Sequence, residues 1–153
     1  MKTAGDIIKG KPLYFVESGS SVLDAAKLMA EKNIGAVLVL SKDGKFLGIF
    51  SERDLLKRVI AKGLNPADIK IDDVMTHEVM IAFENESYEE CLAKMKKAQI
   101  RHLPVVDKNN NLLGMLSLRD LMDISLDEKT EKIELLLITI SDVNFIEITF
   151  FKE

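Results

Sequence analysis

The sequence predicts a mixed α/β (α+β) fold. In this fold two β-α-β-β-α repeats pack as an intramolecular pair and carry a C-terminal β-hairpin tail. The first supporting observation is that residues 6–60 match residues 72–126 at an offset of 66 positions, and such self-similarity is typical of repeat architectures. The second is a corner that ends each copy, Gly48–Asp54 and Gly114–Asp120, where a short apolar run leads into Ser-x-Arg-Asp. The third is the 47% hydrophobic content, which is sufficient for a core.

The first copy, predicted to span residues 5–62, contains two kinds of apolar pattern. Val22, Ala25 and Met29 recur at helical spacing, which predicts an amphipathic helix. The continuous apolar run Ala36–Leu40 is typical of a buried strand. The predicted order is strand Leu13–Glu17, helix Ser21–Lys32, strand Ala36–Leu40, strand Phe46–Phe50 and helix Ser51–Ala61.

The second copy, predicted to span residues 74–126, follows a linker at residues 63–73 and repeats the same pattern. A three-stranded sheet with two helices buries only one of its faces, so we expect the two copies to pack sheet to sheet. The predicted elements are strand Val79–Phe83, helix Ser87–Ala98, strands Leu103–Asp107 and Leu112–Leu116, and a helix from Ser117 to near Ser125.

The tail, residues 127–153, departs from the repeat pattern. Ile133–Ile140 and Phe145–Phe151 are apolar and favour strands, and a polar segment separates them, which predicts a β-hairpin. A membrane span is not expected, because polar side chains at Asp142, Asn144 and Glu147 would be costly in lipid. Such a hairpin would cover the protein's own surface, a second subunit or a partner. Whether it belongs to the native protein stays open.

Composition excludes several classes of function. The net charge is −4, with acids and lysines mixed along the chain, whereas general nucleic-acid binding needs a basic face. Cys91 is the only cysteine, and the N-terminus lacks the apolar core of a signal peptide, so we expect a cytoplasmic protein. His77 and His102 show no metal-ligand spacing with Cys91, and no catalytic motif is evident.

The corner residues allow two interpretations. Ser-x-x-Asp or Ser-x-x-Glu before an apolar run is the capping box of a helix, and four such boxes occur, beginning at Ser21, Ser51, Ser87 and Ser117. In this interpretation the corners only begin helices. A glycine three residues before each corner serine would instead let a ligand approach the backbone.

The second interpretation is a nucleotide pocket. Arg53 and Arg119 lie in the first turn of their helices, where a cation opposes the helix dipole and makes more sense beside an anion. A helix N-terminus and a guanidinium both bind phosphate. The aspartates, Asp54 and Asp120, accept hydrogen bonds and suit the two hydroxyls of a ribose.

These residues and the repeat layout resemble the cystathionine-β-synthase (CBS) domain family over about residues 5–126, including the segment Arg101–Asp107 of the second copy. The resemblance implies a tandem CBS pair, also called a Bateman module. Such modules bind adenosyl ligands in clefts between the repeats: AMP, ADP, ATP, S-adenosylmethionine or NAD. A Thr or Ser before the first strand often lines the cleft, which points to Thr76. Gly10 stands at the matching position in the first copy, so one cleft is expected to be weaker or differently specific.

The resemblance also assigns roles to positions of this chain. The corner aspartates would hold the ribose, and the serines and nearby basic residues would contact phosphate. His102 is expected to be a cleft or sheet-end residue. The implied ligand-binding residues are Ser51, Arg53, Asp54, Thr76, Ile81, His102, Ser117, Arg119 and Asp120.

The functional expectation is a regulatory or sensor module for an adenine nucleotide, with AMP, ADP or ATP preferred, and no enzyme activity. It requires no cofactor or metal and binds neither nucleic acid nor membrane. The resemblance implies a disc-like homodimer, and a separate effector protein would respond to the ligand. The alternatives are a scaffold or interaction protein with empty clefts, or a binder of S-adenosylmethionine or NAD.

Overall fold

The structure, a computed structural model, describes residues 2–124, 133 and 135–139. The first half contains helix α1, strand β1, helix α2, strands β2 and β3, and helix α3, which continues as a π-helix. Their bounds are α1 Ala4–Ile8, β1 Phe15–Glu17, α2 Val22–Lys32, β2 Ala36–Leu40, β3 Phe46–Ser51 and α3 Glu52–Asp54, with the π-helix at Leu55–Ile60. The second half has the same order: α4 Ile71–Val74, β4 Ala82–Phe83, α5 Tyr88–Ala98, β5 His102–Val106, β6 Leu112–Ser117 and α6 Leu118–Ile124.

The two sheets have identical topology. In each, the central strand pairs in parallel with the first strand and antiparallel with the third, in the orders β1-β2-β3 and β4-β5-β6. The registers also match, because Val39 pairs with Gly48 as Val105 pairs with Gly114, and a shift in register follows each pair. The predicted fold class and duplication are therefore confirmed for the two repeats.

Both faces of the central strand β2 are buried. Val37 and Val39 belong to the core beneath the helices, and Leu38 and Leu40, which alternate with them, are buried as well. Leu40 also lines a cavity that it shares with Val106 of the second sheet. These observations fit the expected pair of sheets facing each other.

Two short helices, α1 and α4, were not predicted, and each packs against the other half of the molecule. Ile71 and Val74 of α4 lie in the core of the first half, and the Ile71 amide donates to Ser20 O at 2.8 Å. Ala4 and Ile8 of α1 lie in the core of the second half. Each half is thus completed by a leading segment from the other.

The corner glycines make this exchange possible. A Cβ at Gly48 would lie 2.6 Å from the carbonyl oxygen of Thr76, and a Cβ at Gly114 would lie 3.0 Å from Ile8 Cδ1. The expectation that these glycines admit a ligand to the backbone is therefore wrong. The space above each glycine is already filled by the leading segment of the opposite half.

The expected tail hairpin is wrong in its first strand. Residues 133 and 135–139 are helical, and Leu135 and Ile138 join the core of the second half. Their spacing of three residues places both on one face of a helix, which a period-two interpretation misses. The predicted strand Phe145–Phe151 lies outside the described residues, and within those residues no helix is long and apolar enough to cross a membrane.

Candidate functional site

The first corner is the junction of β3 and α3, where a capping box fixes the aspartate. The Ser51 amide donates to Asp54 Oδ2 at 3.0 Å, and the Asp54 amide donates to Ser51 Oγ at 3.2 Å. The Asp54 side chain is 12% exposed. The box orients one carboxylate oxygen toward the backbone and leaves lone pairs of the group for other donors.

Thr76 joins this corner from the leading segment of the second half. Its hydroxyl lies 3.4 Å from both carboxylate oxygens of Asp54, which is long for a hydrogen bond between oxygens. Its backbone is held by Ile49 of β3 through two hydrogen bonds of 3.0 and 2.8 Å. Thr76, which the sequence singles out separately from the capping box of Ser51 and Asp54, therefore forms one cluster with them.

Arg58 is a further residue of the first corner that sequence reasoning missed. Its Nε lies 3.7 Å from Asp54 Oδ1, and its Nη1 donates to Val74 O and Met75 O at 2.9 and 3.0 Å. The spacing of four positions from Asp54 within a helix is the signal that could have found it. The guanidinium is fixed by two carbonyls, so its positive charge stays at the rim of the corner.

The second corner, at the junction of β6 and α6, repeats the capping box. The Ser117 amide donates to Asp120 Oδ2 at 2.7 Å, and the Asp120 amide donates to Ser117 Oγ at 3.2 Å. Here, however, Lys11 forms an ion pair with Asp120 Oδ1. Burial lowers the pKa of the Lys11 ammonium, and the nearby carboxylate of Asp123 opposes this effect. Sequence reasoning missed Lys11 because its partner lies more than a hundred residues away in the chain.

Gly10 explains why a lysine reaches the second corner. Gly10 occupies the position that matches Thr76, has no side chain to donate, and adopts a φ of +79° that favours glycine. The following residue, Lys11, supplies the donor to the aspartate instead. The aspartate of the first corner thus faces the hydroxyl of Thr76, and the aspartate of the second corner faces the ammonium of Lys11.

His102 lies where the two halves meet. It pairs in register with Ser117, and a Cβ at Gly35 would lie 3.3 Å from His102 Cε1 and 2.5 Å from Glu52 Oε1. Burial and the adjacent Arg101 lower the pKa of His102 to about 4. The imidazole is therefore neutral at physiological pH and is a sheet-end residue beside the second corner.

Three predicted site residues do not join either cluster. Arg53 is exposed and its Nη1 lies 3.3 Å from the carbonyl of Gln99 at the end of α5. Arg119 is exposed on the first turn of α6. Ile81 lines a cavity of about 600 Å³ with the two hairpin ends, at Phe46 and Leu112. These ends lie opposite the corners along the third strands, so Ile81 is not placed beside Asp54.

The chemistry that the corners offer is hydrogen bonding to a ligand. Each presents an oriented carboxylate, which accepts hydrogen bonds from hydroxyl groups. Among the residues that the structure describes, no group of three His, Cys, Asp or Glu could hold a metal ion.

Both repeats of the chain match one known domain family. The model of the CBS domain matches residues 4–61 and 71–127. The chain belongs to the CBS-domain family. CBS-pair proteins are typically regulatory and non-catalytic.

Relatives from other organisms are similar over most of this chain. The protein YlbB of Bacillus subtilis is 40% identical over 113 residues, which cover 73% of this chain and 73% of that protein. An uncharacterised protein of Methanopyrus kandleri is 30% identical over 119 residues, covering 78% of this chain. The chain spans 58% of the length of that relative.

Solved structures agree with the fold. A putative signal-transduction protein with CBS domains from Burkholderia ambifaria has a TM-score of 0.76 and 36% identity, covering 84% of this chain and 97% of that one. A crystal structure of CBSX2 in complex with AMP has a TM-score of 0.68 and 25% identity, covering 82% of this chain and 97% of that one. Residues 4–127 of this chain therefore contain two CBS domains in tandem.

Proposed function

We propose that this CBS pair is a regulatory module that binds an adenine nucleotide, with AMP, ADP or ATP as ligand, at its first corner. The observation that carries the proposal is the cluster of Ser51, Asp54 and Thr76. There a carboxylate fixed by a capping box faces a weakly held hydroxyl. A ribose diol can replace the 3.4 Å contacts of Thr76 with shorter hydrogen bonds to the same carboxylate.

Charge and similarity support a nucleotide rather than a neutral sugar. Arg58 places a guanidinium 3.7 Å from Asp54 Oδ1, and a guanidinium suits a phosphate. The related CBSX2 structure is a complex with AMP. Binding would change the relative packing of the two halves, because Thr76 comes from one half and Asp54 from the other.

A separate effector protein would respond to the bound ligand.

A second copy of the chain is the proposed partner in a homodimer. Leu56 and Ile60, four positions apart on the helix that follows the first corner, are 60% and 52% exposed and would be covered by that copy. A ligand that changes the packing of the halves also changes this surface, because Asp54 lies in the first turn of the same helix.

Isothermal titration with AMP, ADP, ATP, S-adenosylmethionine and NAD tests the proposal. We expect an adenine mononucleotide to bind the native chain, and Asp54→Asn to weaken binding at least tenfold, which is about 1.4 kcal/mol. A matched control is Glu90→Gln, because Glu90 accepts from the Ser87 amide in a third capping box away from both corners. Its binding should equal that of the native chain.

The opposite result identifies the second candidate, a scaffold with empty clefts. Both corners complete their capping boxes without any ligand, which is the observation that favours it. If no adenosyl ligand binds and Asp54→Asn changes stability only as much as Glu90→Gln does, the corners serve as helix caps.

A further inference from the structure

We infer that Lys11 is a specificity-determining residue. Its ammonium pairs with the Asp120 carboxylate, so that the second corner excludes a neutral nucleoside. The first corner therefore binds its ligand at a lower ligand concentration than the second. This inference rests on the proposed function, because it assumes that the corner carboxylates bind a ribose. It goes further in assigning unequal affinities and a different ligand preference to the two corners.

The hydrogen bonds of Asp120 are the first step of the argument. Oδ2 accepts from the Ser117 amide at 2.7 Å, and Oδ1 is paired with Lys11. A diol that binds this carboxylate must therefore displace a charged donor. At the first corner it displaces the hydroxyl of Thr76, whose contacts are 3.4 Å long. The Arg58 guanidinium, 3.7 Å from Asp54 Oδ1, donates to two backbone carbonyls and need not leave. The Lys11 ammonium adds the attraction of a full positive charge to its contact with the carboxylate, which the neutral hydroxyl of Thr76 lacks, so the second corner is the harder one to enter.

The position of Lys11 is fixed by the fold, which distinguishes it from a freely moving surface lysine. Ile8 of α1 packs over Gly114 of β6, and the Lys11 amide donates to Ile8 O at 3.0 Å. The backbone of Lys11 is therefore held beside β6. The side chain of Lys11 is 40% exposed and that of Asp120 is 13% exposed, so the ammonium can leave while the carboxylate stays.

The charge of the ligand decides whether displacement succeeds. A neutral nucleoside offers its hydroxyls to Asp120 but offers no anion to the displaced ammonium. A nucleotide carries a phosphate that can accept the ammonium in place of the carboxylate. Lys11 therefore selects anionic nucleotides over adenosine at the second corner. At the first corner the charged neighbour of Asp54 is Arg58, whose guanidinium is held by two backbone carbonyls and lies 3.7 Å away.

Titration of adenosine and AMP against the full chain tests the inference. The background is Asp54→Asn, which leaves the second corner as the site under study. There we expect Lys11→Gln to raise the affinity for adenosine about tenfold or more and to raise the affinity for AMP by a smaller factor. The control is Lys9→Gln, which removes the same charge from an exposed residue of the same segment and should change neither affinity.

Two results would overturn this inference and leave the proposed function standing. One is an adenosine affinity that stays equal or falls in Lys11→Gln although the native chain binds AMP through Asp54. The other is an equal gain from Lys9→Gln, which would indicate a general charge effect. Failure of the proposed function is distinguishable from both, because in that case the native chain binds no adenine nucleotide and Asp54→Asn has no binding to lose.

Discussion

The two corners share a backbone and differ in what faces the aspartate. Each has the same strand register, the same glycine and the same capping box. Much of the difference comes from the leading segment of the opposite half, which supplies Thr76 to one corner and Lys11 to the other. Arg58 adds a guanidinium at the first corner, where the matching residue of the second half is Ile124. A duplicated frame can therefore hold two binding sites of different chemistry.

The largest effect that separates the corners is expected at their glycines. Gly48→Ala should destabilise the protein by about 2–4 kcal/mol, because its Cβ would meet the backbone oxygen of Thr76, whereas Gly114→Ala should cost about 1 kcal/mol. At Gly114 the neighbour is the end of the Ile8 side chain, which can rotate away. Urea unfolding of both variants measures the difference. Equal costs would show that the two leading segments are held equally firmly.

A second effect is expected from His102, whose counterpart in the first half is Ala36. The folded state holds the pKa of His102 near 4, below the usual value of about 6.5. Between these pH values His102 is protonated in the unfolded chain and neutral in the folded chain, so the free energy of unfolding falls as the pH decreases from 6.5 to 4. At and above neutral pH there is no loss, and the full loss is up to about 3 kcal/mol.

The variant His102→Gln isolates this contribution, because the carboxylates that also titrate at low pH are common to both proteins. Urea unfolding at pH 7, 5.5 and 4.5 should give a flatter stability profile for the variant than for the native chain. Parallel profiles would mean that the imidazole is solvated in the folded state.

The smallest effect is expected from Thr76→Val, which removes the hydroxyl at the first corner and keeps its shape. The hydroxyl contacts are long, so the loss of stability should be below about 1 kcal/mol. AMP affinity should rise by no more than about threefold, because the ribose hydroxyls no longer compete with Thr76 for the Asp54 carboxylate. In the Asp54→Asn background the same change should leave AMP affinity unaltered, and a change there would show that Thr76 acts independently of Asp54.

Local patterns allowed much of the fold to be predicted from sequence. Ser21 and Ser87 cap the N-termini of helices α2 and α5, as their capping sequences indicate, and the buried strands follow continuous apolar runs. The helices α1 and α4 were missed because five and four residues cannot show a helical period. The π-helix after Asp54 was also missed, since no sequence rule separates it from an ordinary helix.

The sites were predictable only in part, for a related reason. The capping boxes are visible in the sequence, because the serine and aspartate of each lie three positions apart, as in Ser51 with Asp54 and Ser117 with Asp120. Lys11 and Asp120 are joined by the exchange of leading segments, which depends on packing that no local pattern records. Gly10 gave a hint, because its missing side chain indicated that one cleft would differ, but it revealed neither which cleft that would be nor which neighbouring residue would supply the donor.

The reciprocal placement of α1 and α4 has a consequence for how the molecule comes apart. If the chain were cut near Gly63, the C-terminal fragment would keep α4, which packs in the core of the first half. The same fragment would lack α1, which packs in the core of the second half. Two identical fragments can satisfy neither need fully, whereas the two different fragments fit each other. Coexpressed pieces should therefore reassemble into a native-like complex, and each piece alone should expose apolar surface and aggregate.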